Sequence, residues 1–165
     1  MEMYLGKPNK LLPIVAFFMS LFFFTGCGGG SSGSSNPPGH HSDALNNWHW
    51  RNPLPQGNNL FTVTYGNGTF IAVGAGGTIL TSADGITWTS RTSGMGYWLS
   101  GVTYGNGTFI AVGAGGGTIL TSADGITWTS RTSGTADSLN GVTYGNGTFI
   151  AVGDGGMILQ SDPVK

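Results

Sequence analysis

Residues 63–94 occur again at 102–134, and a third time, with changes, from Val142 onward. The first two copies are identical except for one added residue in Gly115-Gly116-Gly117. The copies begin at 63, 102 and 142, so the period is about forty residues. A period of that length marks an array in which one small unit cannot bury its own apolar surface and relies on its neighbours. Helical repeats are excluded. Glycine is 31 of 165 residues, and the apolar positions keep no 3.6-residue spacing.

Each unit reads as four short strands. Leu60 to Tyr65 is the first, and Asn67-Gly68 turns the chain, because both residues accept positive φ in a two-residue hairpin. Thr69 to Val73 is the second strand, followed by the turn Gly74 to Gly77. Thr78 to Ser82 is the third, Ala83-Asp84-Gly85 a further turn, and Ile86 to Arg91 the fourth. The second strand is apolar on both faces, with Phe70 and Ala72 on one and Ile71 and Val73 on the other. A four-stranded sheet buried on both faces and repeated is a propeller blade between two neighbours. The expected fold is all-β and β-propeller-like, with about three four-stranded antiparallel blades over residues 46–165.

Trp48-His49-Trp50-Arg51 matches Trp88-Thr-Ser-Arg91 and Trp128-Thr-Ser-Arg131, while the last copy lacks a fourth strand. The expectation is therefore that the N-terminal strand completes the last blade. Three blades fall below the usual four to eight. An open arc leaves uncovered edges and faces, so a homodimer with six blades is expected. A truncated propeller is the alternative.

The first 26 residues read as a signal peptide. Lys7 and Lys10 precede a mostly apolar run from Leu11 to Phe24, which is too short to span a bilayer. The stretch Phe24-Thr25-Gly26-Cys27 resembles the lipobox of bacterial lipoproteins, although Phe24 stands where that family usually has Leu. The resemblance implies lipidation at Cys27, removal of residues 1–26 and a lipid-anchored place in the cell envelope. Gly28 after the Cys implies the outer membrane. An ordinary secretory peptide is the plainer alternative. Residues 27–45 form a Gly/Ser/Pro-rich tether with an r.m.s. reach of roughly 25 Å. His40 and His41 lie in it, with no carboxylate pair or second Cys to build a metal site.

The run Gly76-Gly77-Thr78-Ile79-Leu80-Thr81-Ser82-Ala83-Asp84-Gly85-Ile86-Thr87-Trp88 resembles the Asp-box repeats of sialidase-like propellers. It is closer still to those of photosystem II assembly factors and their bacterial relatives. Ser122, Asp124, Gly125, Thr127 and Trp128 repeat it. The strict box has one more residue between Asp and Gly, and the third copy degenerates at Ser161-Asp162-Pro163. The resemblance implies the fold and leaves function open. It also implies that Ser82, Asp84, Gly85, Trp88, Ser122, Asp124, Gly125 and Trp128 build turns. Sialidases need an arginine cluster, a Tyr nucleophile with its Glu, and an acid, and past Cys27 this chain has no Glu. Catalysis is not expected.

A net charge of −1 with 8% charged residues excludes a basic nucleic-acid surface. One cysteine excludes a disulfide framework or a Cys-rich zinc site. No cofactor is expected. Arg51, Arg91 and Arg131 fall on outer strands, where solvation or blade bridging is a simpler role than an anion ring. The Asn-Gly-Thr sequons at Asn67, Asn106 and Asn146 are hairpin turns. What differs between the copies is more informative. The connectors Asn52 to Asn59, Thr92 to Trp98 and Thr132 to Ser138 vary, and in propellers they share a face with the loops between second and third strands. That face holds Met95, Tyr97, Trp98, Asp137 and Asp154. Aromatics beside small polar residues suit a glycan or protein ligand, and inter-blade packing is the other reading of Tyr97 and Trp98. The expected function is a non-enzymatic, membrane-tethered extracytoplasmic binding or assembly module. The rivals are a sialidase-like glycan hydrolase and a structural repeat array without ligand.

Overall fold

In the computed structural model, the described residues are 44–51 and 56–164. The signal segment, Cys27, the tether with His40 and His41, and part of the first connector lie outside them. Packing divides the chain into residues 1–46 and 47–165. Within the first unit the described element is the 3-10 turn Ala44–Asn46. The second holds eleven strands among the described residues, arranged in three antiparallel meanders.

Blade 1 is β1 (Leu60–Gly66), β2 (Thr69–Gly74), β3 (Ile79–Ser82) and β4 (Thr89–Arg91). Blade 2 is β5 (Leu99–Gly105), β6 (Thr108–Gly113), β7 (Thr118–Ser122) and β8 (Thr129–Arg131). Blade 3 is β9 (Leu139–Gly145), β10 (Thr148–Gly153) and β11 (Ile158–Gln160). The first hairpin of each blade turns on Asn-Gly with positive φ at both residues, 47° and 72° at Asn67 and Gly68. That is the type I′ geometry whose twist matches the flanking strands.

The register sorts each blade into two faces. Val63, Ala72 and Leu80 stand opposite one another on one face, and Val73 and Ile79 pair on the other. Blade 2 turns its Val102, Phe109, Ala111 and Leu120 toward Ile71, Val73 and Ile79 of blade 1, and these residues form one buried cluster. Its opposite face, with Val112 and Ile119, meets Val142, Ala151 and Leu159 of blade 3 in a second cluster. The apolar residues on both sides of the middle strand are thus accounted for by a neighbour on each side. A Cβ built on Gly66 would stand 2.1 Å from the Tyr104 ring, and one on Gly105 equally close to Tyr144. Blades 2 and 3 therefore each lay their tyrosine on a bare glycine of the blade before. The inner strands β1, β5 and β9 run side by side around the arc, and no extended contact joins β1 to β9 among the described residues. The arc is open.

Two expectations are corrected. The fourth strand begins at Thr89 in blade 1 and at Thr129 in blade 2, not at Ile86 and Ile126. The amides of Ile86 and Thr87 donate to the Asp84 carboxylate, which removes them from the ladder. The N-terminal strand also does not complete the last blade. The third sheet has three strands, ordered β11-β10-β9, and residues 47–51 hold no strand. Trp48, His49, Trp50 and Arg51 instead line a recess of about 530 Å³ with Leu60, Leu80, Gly85 and Trp88 of blade 1. In an open arc blade 2 stands between that recess and β11, so the arc does not close among the described residues. The third copy ends differently as well. Ser161 donates its N–H to Phe149 O at 2.9 Å, and its hydroxyl accepts the Phe149 N–H at 3.0 Å.

Candidate functional site

The connectors are fastened to one end of the blades by the same bond in each copy. The Ala75 N–H donates to Asn59 O at 2.8 Å, the Ala114 N–H to Trp98 O at 2.9 Å, and the Asp154 N–H to Ser138 O at 3.0 Å. The connectors and the loops between second and third strands therefore share one face, and all five residues singled out by their variation lie on it.

They fall into two groups. Met95, Tyr97 and Trp98 belong to the connector entering blade 2. Met95 is held by Ser93, whose hydroxyl accepts the Met95 N–H at 3.1 Å and donates to Met95 O. The half-buried Met95 side chain lines a cleft of about 340 Å³ with Gly115, Gly116, Gly117, Ser133 and Thr135. Tyr97 lies over Gly115, where φ is +83° and a Cβ would stand 2.3 Å from the ring. The glycine inserted into the second copy is thus part of a triplet that makes room for this tyrosine. Trp98 packs on Phe61 with ring centroids 5.7 Å apart, tilted by 55°. Both rings stay open to solvent, Tyr97 at 58% and Trp98 at 60%. Inter-blade packing on Phe61 thus engages Trp98, while Tyr97 packs on its own blade, and both rings keep a large open surface.

Asp137 and Asp154 form the second group, at blade 3. Asp137 holds the position of Tyr97 in the next copy and donates its N–H to Thr135 Oγ1 at 3.0 Å. Asp154 accepts the Asn140 side-chain N–H at 2.8 Å. Both carboxylates are exposed. Phe61 and Asn140 were not singled out from the sequence. They hold one repeat position, occupied by Ser100 in blade 2. Comparing the copies one step past the connectors would have found them.

The Asp turns sit at the opposite end of the blades. Asp84 Oδ1 accepts the Ile86 and Thr87 N–H groups at 2.8 Å and the Ser82 hydroxyl at 3.0 Å. Trp88 Nε1–H closes the turn on Gly85 O at 3.3 Å. Ser122, Asp124, Gly125 and Trp128 repeat the arrangement. The backbone amides of Thr87 and Ile86, then the Ser82 hydroxyl, hold the Asp84 carboxyl below its ordinary value. Those of Thr127 and Ile126, then Ser122, do the same for Asp124. These carboxylates build turns. Arg91 and Arg131 each donate Nε–H to a threonine of their own blade, Thr81 and Thr121, at 2.9 Å. Among the described residues, no three or more His, Cys, Asp or Glu gather where a metal could bind.

No protein-family model matches the chain, and no curated protein matches it. A solved structure of YCF48 bound to D1 peptide is similar in fold, with a TM-score of 0.56 and 22% identity. The alignment covers 65% of this chain and 37% of that one, so the chain corresponds to little more than a third of its neighbour's length. The blade architecture and this propeller neighbour together make the fold β-propeller-like.

Proposed function

We propose that this protein is a non-enzymatic binding or assembly module, held outside the cell membrane by a lipid on Cys27, that takes a segment of another protein on its connector face. The carrying observation is the pair of solvent-open rings, Tyr97 over Gly115 of the Met95 cleft and Trp98 on Phe61. Rigid aromatics supply contact area at small entropic cost, and they dominate the energetics of protein recognition. Asp137 and the Asp154–Asn140 pair add acceptors at the edge. The peptide bound by YCF48 supports this ligand class over a glycan. A sialidase-like hydrolase finds little support, because the only Glu in the sequence is Glu2. We place the protein at the outer membrane, and its working unit as two copies.

Peptide and glycan arrays probed with the full chain in detergent test the ligand. We expect peptide binding that Trp98→Ala or Tyr97→Ala weakens about tenfold, the scale of one interface anchor. Binding confined to glycans, or unaffected by either substitution, refutes the reading. The anchor is tested separately. Cys27→Ser is expected to release the protein from the membrane fraction or stall its processing, and unchanged membrane retention with unchanged mass refutes it.

A further inference from the structure

We infer that in a head-to-tail pair of these chains, Trp48–Arg51 of one copy supplies a fourth strand to the open edge of the other copy's third blade. The inference rests on the two-copy reading above and adds how the copies join.

The first argument is positional. Thr89–Arg91 (β4) runs through a connector into β5 of the next blade, and Thr129–Arg131 (β8) does the same into β9. Trp48–Arg51, with the same Trp-x-x-Arg pattern, leads through the first connector into β1. By that equivalence it is the outer strand of the blade before blade 1. Its observed place agrees. Trp48 and Trp50 border Leu60, Leu80, Gly85 and Trp88. These residues mark the side of blade 1 that corresponds to the side of blade 2 covered by blade 1.

The second argument is the half-contacts left at the two ends of the arc. Tyr104 rests on Gly66 and Tyr144 on Gly105. At one end Tyr65 is 57% exposed, and at the other a Cβ on Gly145 would meet nothing within 4 Å. Gly125 of blade 2 lies against Ile71 of blade 1. Among the described residues a Cβ on its equivalent Gly85 would meet only Phe70 of its own blade, and Ile150 holds the place of Ile71 in blade 3. On the outer face of blade 3, Val152 and Ile158 are 45% and 70% exposed, whereas Val73 and Ile79 of blade 1 are fully buried. The Tyr-on-Gly contact is therefore present as two unmatched halves, Tyr65 and Gly145, and the outer face of blade 3 lacks the cover that Val73 and Ile79 have, whereas Ala72 and Leu80 on the outer face of blade 1 are already buried. A second copy carries the open complements in the same register.

The ladders set the new register. Ile79 pairs with Arg91, Leu80 with Ser90 and Thr81 with Thr89, and blade 2 repeats this. β11 is an edge strand. The same register pairs Ile158 with Arg51, Leu159 with Trp50 and Gln160 with His49 of the partner.

The test uses two full chains, differently tagged and co-expressed, one carrying His49→Cys and the other Gln160→Cys. Opposed residues in antiparallel strands stand about 4.5–5.5 Å apart at Cα, within disulfide reach. We expect a disulfide-linked pair carrying both tags, several-fold above the Cys27 background of the parent chains. Replacing Gln160→Cys by Thr121→Cys abolishes it, because Thr129 already holds that edge. Gly145→Val, which meets nothing in its own chain, should leave the melting temperature of a dilute sample unchanged and remove the cross-link. A dimer by sedimentation without the cross-link overturns strand donation and leaves the pair standing. A monomer at micromolar concentration overturns both. A cross-link unaffected by Gly145→Val refutes the register.

Discussion

Ile79, Ile119 and Ile158 stand at one position of the repeat, each on the third strand of its blade, yet the fold gives them different surroundings. Ile79 is fully buried between blades 1 and 2, Ile119 is half-buried between blades 2 and 3, and Ile158 is 70% exposed. Truncation to Ala makes the difference measurable. At Ile79 the loss combines burial with a residual cavity, about 3.5 kcal/mol within the usual 2–5. At Ile158 three tenths of the side chain is shielded from water, and full burial of an Ile contributes about 1.5–3 kcal/mol. The loss there is under about 1 kcal/mol, and no cavity forms. The lost strand propensity is similar at both sites and cancels in the comparison. At about 4 °C per kcal/mol for a domain of this size, Ile79→Ala lowers Tm by about 14 °C and Ile158→Ala by no more than about 4 °C, with Ile119→Ala between them. Thermal unfolding followed by circular dichroism measures this, in dilute samples carrying Gly145→Val so that pairing does not intervene. An equal loss at Ile158 and Ile79 would refute the open arc, because it requires a cover on the outer face of blade 3 within one chain.

Acid should loosen the blades through the Asp turns. The amides of Thr87 and Thr127 lead in lowering the carboxyls of Asp84 and Asp124 in the folded state, so this contribution is fully present above the unfolded value of about 3.9 and is lost as pH falls through the lower folded value. Tm measured from neutral pH to below pH 4 should drop less steeply for Asp124→Asn than for the parent, and parallel curves would contradict the assignment. Gly105→Val forces a side chain into the Tyr144 ring, whose Cγ stands 2.1 Å from the Cβ position, and should unfold the interface between blades 2 and 3 at much lower temperature. Gly145→Val, at the equivalent position of blade 3, should leave Tm of the dilute chain unchanged. Equal effects at the two glycines would count against the tyrosine-on-glycine contact.

The sequence alone determined the unit. A forty-residue period, Asn-Gly hairpins and a second strand apolar on both faces require a stack of small antiparallel sheets, because a sheet with two apolar faces needs a neighbour on each. It also pointed to the connector residues Met95, Tyr97, Trp98, Asp137 and Asp154, since copies that otherwise repeat one another differ there. Several features were decided by tertiary structure. The Asp84 carboxylate captures the amides of Ile86 and Thr87 and shortens the fourth strand. Trp48–Arg51 lines a recess with blade 1, although its pattern suggests β11 as its neighbour. Phe61 and Asn140 join the connector face through contacts with Trp98 and Asp154. The physical reason is the repetition itself. Local rules give near-identical copies the same local structure, so Ile79 and Ile158 read alike in sequence. What separates them is place in the arc, and only the packing of one blade on the next determines which faces are covered and which remain open.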